Sequence, residues 1–99
     1  MFEVLQSATF RDWLERLADR RARARIQVRI DRAKLGNLGD VKSLGWGLCE
    51  MRIDYGPGYR LYFLREGRLI VVLLCGGTKR TQTQDIARAR MIALDWEQR

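Results

Sequence analysis

From Arg68 to Cys75 the chain reads RLIVVLLC, almost without a polar residue, and no other stretch constrains the fold as much. A run this short and this rich in Val and Leu, preceded by a Gly-containing break, is a strand. With no polar face it belongs in the middle of a sheet. Tyr59 to Arg65 is the strand that precedes it, across a hairpin turn at Glu66-Gly67. Further upstream Cys49, Met51 and Ile53 alternate with Glu50, Arg52 and Asp54, the pattern of a strand with one wetted face. Tyr55-Gly56-Pro57-Gly58 joins these two strands as a turn, since Pro57 fixes φ and the glycines accept positive values. Met1 to Leu5, with Phe2 and Val4 against Glu3, suits a further short strand.

Between this first strand and the turn-rich segment the period changes to that of a helix. Thr9 can cap a helix in which Phe10, Trp13, Leu14 and Leu17 form one apolar stripe, with Asp12 three residues after the cap. A second helix runs from about Asp19 to Gly36, burying Ala22, Ile26, Ile30 and Ala33. Its other side carries Arg20, Arg21, Arg23, Arg25, Arg29, Arg32 and Lys34. The short link between the two helices predicts an antiparallel hairpin. After Gly36-Asn37-Leu38-Gly39-Asp40, Ser43 to Gly47 reads as a loop. Thr81 and Gln84 make a capping box for a last helix with Ile86, Ala89, Ala93 and Trp96 on one face. No repeat or linker interrupts the chain, so residues 1–99 read as one domain. The expected fold is α+β: a mainly antiparallel sheet of about four strands, packed with an N-terminal helical hairpin and a C-terminal helix.

Nineteen Lys and Arg against twelve Asp and Glu leave a net charge of +7, with no histidine. A soluble basic domain of this size favours an anionic partner, nucleic acid above all, although an anionic membrane surface or an acidic protein meets the same electrostatics. The longest apolar stretch is too short for a membrane span, and Met1-Phe2-Glu3 does not begin a signal peptide, so a cytoplasmic protein with no membrane partner is expected. Cys49 and Cys75 lie in apolar runs and read as buried thiols; two cysteines without histidine make no usual zinc site, and no cofactor or metal is expected. Gly76-Gly77 before Lys79 lacks the spacing and ending of a P-loop. Trp13, Trp46 and Trp96 read as core or core-edge residues, with base stacking as the other possibility for Trp46.

Taken together, Glu50-Met51-Arg52-Ile53, Tyr55-Gly56-Pro57-Gly58-Tyr59-Arg60-Leu61-Tyr62, Leu74-Cys75-Gly76-Gly77-Thr78-Lys79 and Gln84-Asp85-Ile86 resemble the addiction-module killer proteins of the RelE/HigB/ParE toxin superfamily. Phe10 to Leu17 and Gly36 to Lys42 resemble the same group, so the likeness covers nearly the whole chain. It implies the toxin of a type II toxin-antitoxin system, held in check by a cognate antitoxin, commonly a small helix-turn-helix protein. RelE-like members cut messenger RNA in the ribosomal decoding site; ParE-like members poison DNA gyrase. A shared fold does not choose between them. The first reading makes the protein a ribosome-dependent mRNA endoribonuclease that inhibits translation, with ribosome and mRNA as partners. The alternatives are gyrase inhibition or a non-catalytic basic nucleic-acid-binding module.

RNA cleavage by the 2′-hydroxyl calls for a base, a cation at the phosphate and an acid for the departing 5′-oxygen. Without histidine, the resemblance assigns this work to Arg52, Arg60 and Lys79, with Arg80 as the other residue at the end of the last strand. Lys42, Tyr55, Tyr59, Arg80 and Trp46 are the expected RNA-binding residues. The superfamily's tyrosine on the last helix has no counterpart in Gln82-Thr83-Gln84-Asp85-Ile86, which leaves Tyr55, Tyr59, Tyr62 and Asp85 as candidates for proton transfer. Arg52 and Arg60 as surface charges paired with Glu50 and Asp54 are the plainer alternative. For the arginines of the second helix it is a solvated or antitoxin-docking face.

Overall fold

The computed structural model describes residues 1–97. The chain runs β1 (Glu3–Gln6), α1 (Ala8–Arg16), α2 (Arg20–Lys34), β2 (Val41–Gly45), β3 (Leu48–Ile53), β4 (Tyr59–Glu66), β5 (Ile70–Thr78), a 3₁₀ turn (Lys79–Thr81) and α3 (Gln82–Glu97). All strands join one sheet in the order β1-β5-β4-β3-β2. β1 lies parallel to β5 and every other pair is antiparallel, so the fold is α+β with a five-stranded mixed sheet. The parallel pair follows from α1 and α2, which carry the chain from β1 across one face of the sheet before the antiparallel strands begin.

Each face of the sheet has its own core. Phe10, Ala22, Ile26, Ile30 and Ala33 from α1 and α2 pack on Met51, Ile53, Tyr59, Leu61, Phe63, Val71 and Leu73. Ala89 and Ala93 of α3 pack on Leu48, Tyr62, Leu64, Val72, Leu74 and Cys75. The alternation of the two sets along β4 is the period of two, and β5 is buried from Val71 to Gly77 because it is covered on both sides. β5 is thus interior, as the apolar run predicts, although β4 is the middle strand.

Several local expectations are corrected. The sheet has five strands instead of about four, because Val41–Gly45, half read as a loop, pairs with β3 at the sheet edge. One side chain on each face of that edge strand is partly covered, Val41 on one core and Leu44 on the other, and its pairing shifts between Ser43 and Gly45, so it shows little alternation. Ser7, not Thr9, caps α1: its hydroxyl accepts from the Phe10 amide at 3.0 Å and donates to the Leu74 carbonyl. Asp19 caps α2 as expected, accepting from Arg21 and Ala22, and Gly36, at φ +95°, follows its end. The last helix begins after a 3₁₀ turn, and Thr81 bonds Asp85 instead of pairing with Gln84. Cys75 is buried but Cys49 is only half-buried. Trp46 is no core residue: it is 92% exposed, at φ +57° in the turn between β2 and β3.

The two glycines that end β5 are explained by packing. Pairing with β4 shifts between Tyr62 and Phe63, leaving Leu74 as an extra residue in β5, a bulge that resets which face follows. Beyond it, a Cβ on Gly76 would fall on the indole ring of Trp13, and one on Gly77 would fall on the carboxylate of Asp85. The missing side chains let α1 and the start of α3 approach the strand on opposite faces.

Candidate functional site

Residues paired across neighbouring strands share a face, and the register therefore fixes the site. Arg52 pairs with Arg60, and Arg60 with Gly77; one row along, Lys42 pairs with Glu50, Glu50 with Tyr62, and Tyr62 with Cys75. These rows lie on the face that α3 covers only in part. The first turns of α3 overhang them, with Asp85 above Gly77 and the Gln82 amide donating to Glu50 Oε2 at 2.6 Å. Thr81 donates its hydroxyl to Asp85 Oδ2, which fixes that carboxylate beside the strand.

The two arginines are in different states. Arg52 donates through Nη2 to Asp40 Oδ1 at 2.7 Å, and its backbone amide bonds the Asp40 carbonyl. This contact holds the Asp40 carboxyl below its ordinary range, chiefly through the hydrogen bond, and raises Arg52 in return. Among the described residues Arg60 makes no such direct contact, and its buried Nε finds no acceptor. Two guanidiniums directly opposite one another repel; Asp40 bonds Arg52 directly and acts on Arg60 only through space. The hydrogen-bonding edge of Arg60 is left to an anion from outside, which a guanidinium fork binds with two parallel hydrogen bonds.

Glu50 is the correction to the wetted face of β3. It is only 1% exposed, beneath the start of α3, although Arg52 and Asp54 beyond it do reach solvent. Tyr62 faces it across the strand pair, and burial, reinforced by the Glu50 carboxylate, pushes the phenol well above its usual range. Tyr62 is therefore a neutral phenol at physiological pH.

The remaining expected site residues are divided among three places. Lys42 is exposed on β2, on the face of Arg52 and Arg60. Lys79 and Arg80 are exposed in the 3₁₀ turn, where the Lys79 amide bonds the Gly58 carbonyl at 2.7 Å and so sits beside the turn between β3 and β4. Tyr55 and Tyr59 belong to the opposite face: Tyr59 is buried edge-on to Trp13, and Arg25 lies over the Tyr55 ring at 4.5 Å. Trp46 lies in the turn beyond the other end of β3, whose stretch from Leu48 to Arg52 alone spans about 13 Å at 3.3 Å per strand residue. A single phosphate cannot touch both. Sequence reasoning passed over Asp40, Thr81 and Gln82; Asp40 sits in a Gly-rich connection, where nothing local shows that the chain returns beside Arg52.

Among the described residues no group of three or more His, Cys, Asp or Glu is placed to hold a metal ion, and no helix is long and apolar enough to cross a membrane. The site thus defines a basic α+β protein with a cationic cross-strand pair under an overhanging C-terminal helix. No family model matches the sequence. The chain is 45% identical over 91 residues to an uncharacterized protein of Haemophilus influenzae, a match covering 92% of each chain, and it belongs to the same family as that protein.

Proposed function

We propose that this protein is the toxin of a type II toxin-antitoxin pair, with a RelE-like fold, and that it cuts messenger RNA in the ribosome. The observation that carries the reading is the pair Arg52 and Arg60, directly opposed on one open sheet face, with Asp40 bonded to Arg52 and only near Arg60. In the proposed mechanism Arg60 takes the scissile phosphate and Arg52, steadied by Asp40, holds a second oxygen. The ribose 2′-oxygen attacks phosphorus and gives its proton to water as the bond to the 5′-oxygen breaks, leaving a 2′,3′-cyclic phosphate. Lys79, beside the turn between β3 and β4, donates a proton to the departing 5′-oxygen. Cations of such high pKa transfer protons poorly near neutral pH, so orientation by the ribosome supplies much of the rate. The resemblance of the β3–β4 and β5 segments to addiction-module killer proteins supports the same reading, as does the +7 charge. The partner that restrains it is an acidic or acid-tailed antitoxin of the helix-turn-helix type, and the setting is the cytoplasm.

The test is expression in a bacterial host with mapping of transcript ends. Wild-type protein should arrest growth and produce new mRNA ends within translated codons. Arg60→Ala should abolish both while leaving the thermal midpoint nearly unchanged, because the side chain packs no core. Arrest with DNA breaks and unchanged transcript ends would replace this reading with gyrase poisoning. A folded Arg60→Ala protein that still cuts mRNA would remove the site assignment.

A further inference from the structure

On the other side of the sheet, α2 and the end of β3 leave an open groove of about 660 Å³. Arg21, Arg25, Arg29 and Arg32 line it, with Val28 and Ile53 between them and Asp54 as the one acid of the lining. Steps of four, four and three residues put the arginines on one stripe of the helix, about 16 Å long at 1.5 Å per residue. Like charges at these spacings destabilise a helix by a few tenths of a kcal/mol per pair, a burden that Asp40, acting on Arg29, and Asp54 of the lining offset in part. The nearby acid of the helix, Asp31, is engaged with Gln27 and Lys34.

Two of the four guanidiniums are already held in place. Arg29 donates to the Arg52 carbonyl at 2.7 Å and to the Leu38 carbonyl at 3.2 Å, and Arg25 lies over the Tyr55 ring at 4.5 Å. Arg29 is thereby a fixed charge at the groove wall, and Arg25, held over its ring before binding, loses less entropy when a ligand arrives. We infer that this groove binds the phosphate backbone of duplex RNA, as a track separate from the Arg52 and Arg60 face. An amphipathic peptide needs apolar anchor pockets, and the floor offers only Val28, Ile53 and Ala24; an acidic peptide, which an arginine cluster also binds, is separated from RNA by competition with oligo-glutamate. Single-stranded RNA is held by stacking its bases on aromatic rings, and no aromatic side chain lines the groove. What remains is recognition of shape and phosphates, the mode by which double-stranded RNA is bound. The inference deepens the proposed function and rests on it for the biological setting: a protein that cuts RNA within a folded RNA particle is gripped there by helical RNA on its second face.

The experiment uses the whole chain and a labelled RNA duplex of about 16 base pairs, with binding followed by fluorescence anisotropy between about 50 and 200 mM salt. The variant R21Q/R25Q/R32Q changes three exposed side chains. Its log affinity against log salt should be shallower than that of the wild type by roughly two to three, at about 0.7 to 0.9 per lost phosphate contact. R52Q/R60Q should keep the wild-type duplex slope. A triple variant with unchanged slope overturns the inference, as does an equal loss for a single strand of the same length. Displacement of the duplex by oligo-glutamate as readily as by unlabelled duplex also overturns it, because the groove would then take any acidic chain. Duplex binding of the expected kind without growth arrest on expression would remove the toxin reading and leave this track standing. Arrest dependent on Arg60 with a duplex slope indifferent to the triple variant would do the reverse.

Discussion

At the scale of single residues, environment separates groups that look alike in sequence. Cys49 and Cys75 both lie in apolar runs, yet Cys75 is enclosed between β4 and α3, and burial pushes its thiol up to about 12. Cys49 is half-buried, raised by burial and partly lowered again by Arg65. At pH 8 a thiol reagent should label Cys49 in the native protein, more slowly than a free thiol, and leave Cys75 untouched until denaturant is added; rapid labelling of both would contradict the enclosed position of Cys75. The same contrast runs through the site. Arg52 and Arg60 were legible as a facing pair from strand alternation and the short turn between them. That Arg52 is tethered by Asp40 was not, because that contact crosses from the connection after α2 to the strand beside it.

At the scale of elements, helices were the most legible. The stripe Ala22, Ile26, Ile30 and Ala33 is buried as its spacing requires, between the Asp19 cap and Gly36. Strands in the interior announced themselves by composition, whereas the edge strand β2 did not, since few of its side chains need burial. The end of β5 shows how an element's composition answers to its neighbours. Gly76→Ala sets a methyl against the Trp13 ring, itself packed on Phe10 and Tyr59, so the neighbour has little room to yield. It should destabilise by about 1–3 kcal/mol, the usual range for overpacking, read as a lower urea midpoint. Gly77→Ala meets a carboxylate on a rotatable side chain and should cost less stability, but it displaces Asp85 from beside the strand and should impair growth arrest more. If the two variants ranked the other way in stability, the packing account of these glycines would be wrong.

At the scale of the whole molecule, charge and burial set the response to pH. Cys75 and Tyr62 have ordinary values of 9.0 and 10.0 when unfolded and titrate higher in the folded chain. Above about pH 9 the folded state therefore holds more protons than the unfolded one, so stability is full below that pH and falls as pH rises. The urea midpoint should drop between pH 8 and pH 11, and Cys75→Ala should flatten the fall; a midpoint that rises with pH over that interval would refute it. Asp40 acts with the opposite sign, as its lowered value favours the fold above its ordinary 3.8 and the benefit fades as acid protonates it. By itself the sequence determined the α+β class, the helices, the interior strands and the strong positive charge, because periodicity and composition are properties of neighbouring residues. Only the tertiary structure decided that β1 lies parallel to β5, that Glu50 is buried under Gln82, and that Asp40 takes Arg52 while Arg60 stays open. Those outcomes depend on which distant segments share a face, and register across the sheet settles that, not the pattern along any one strand.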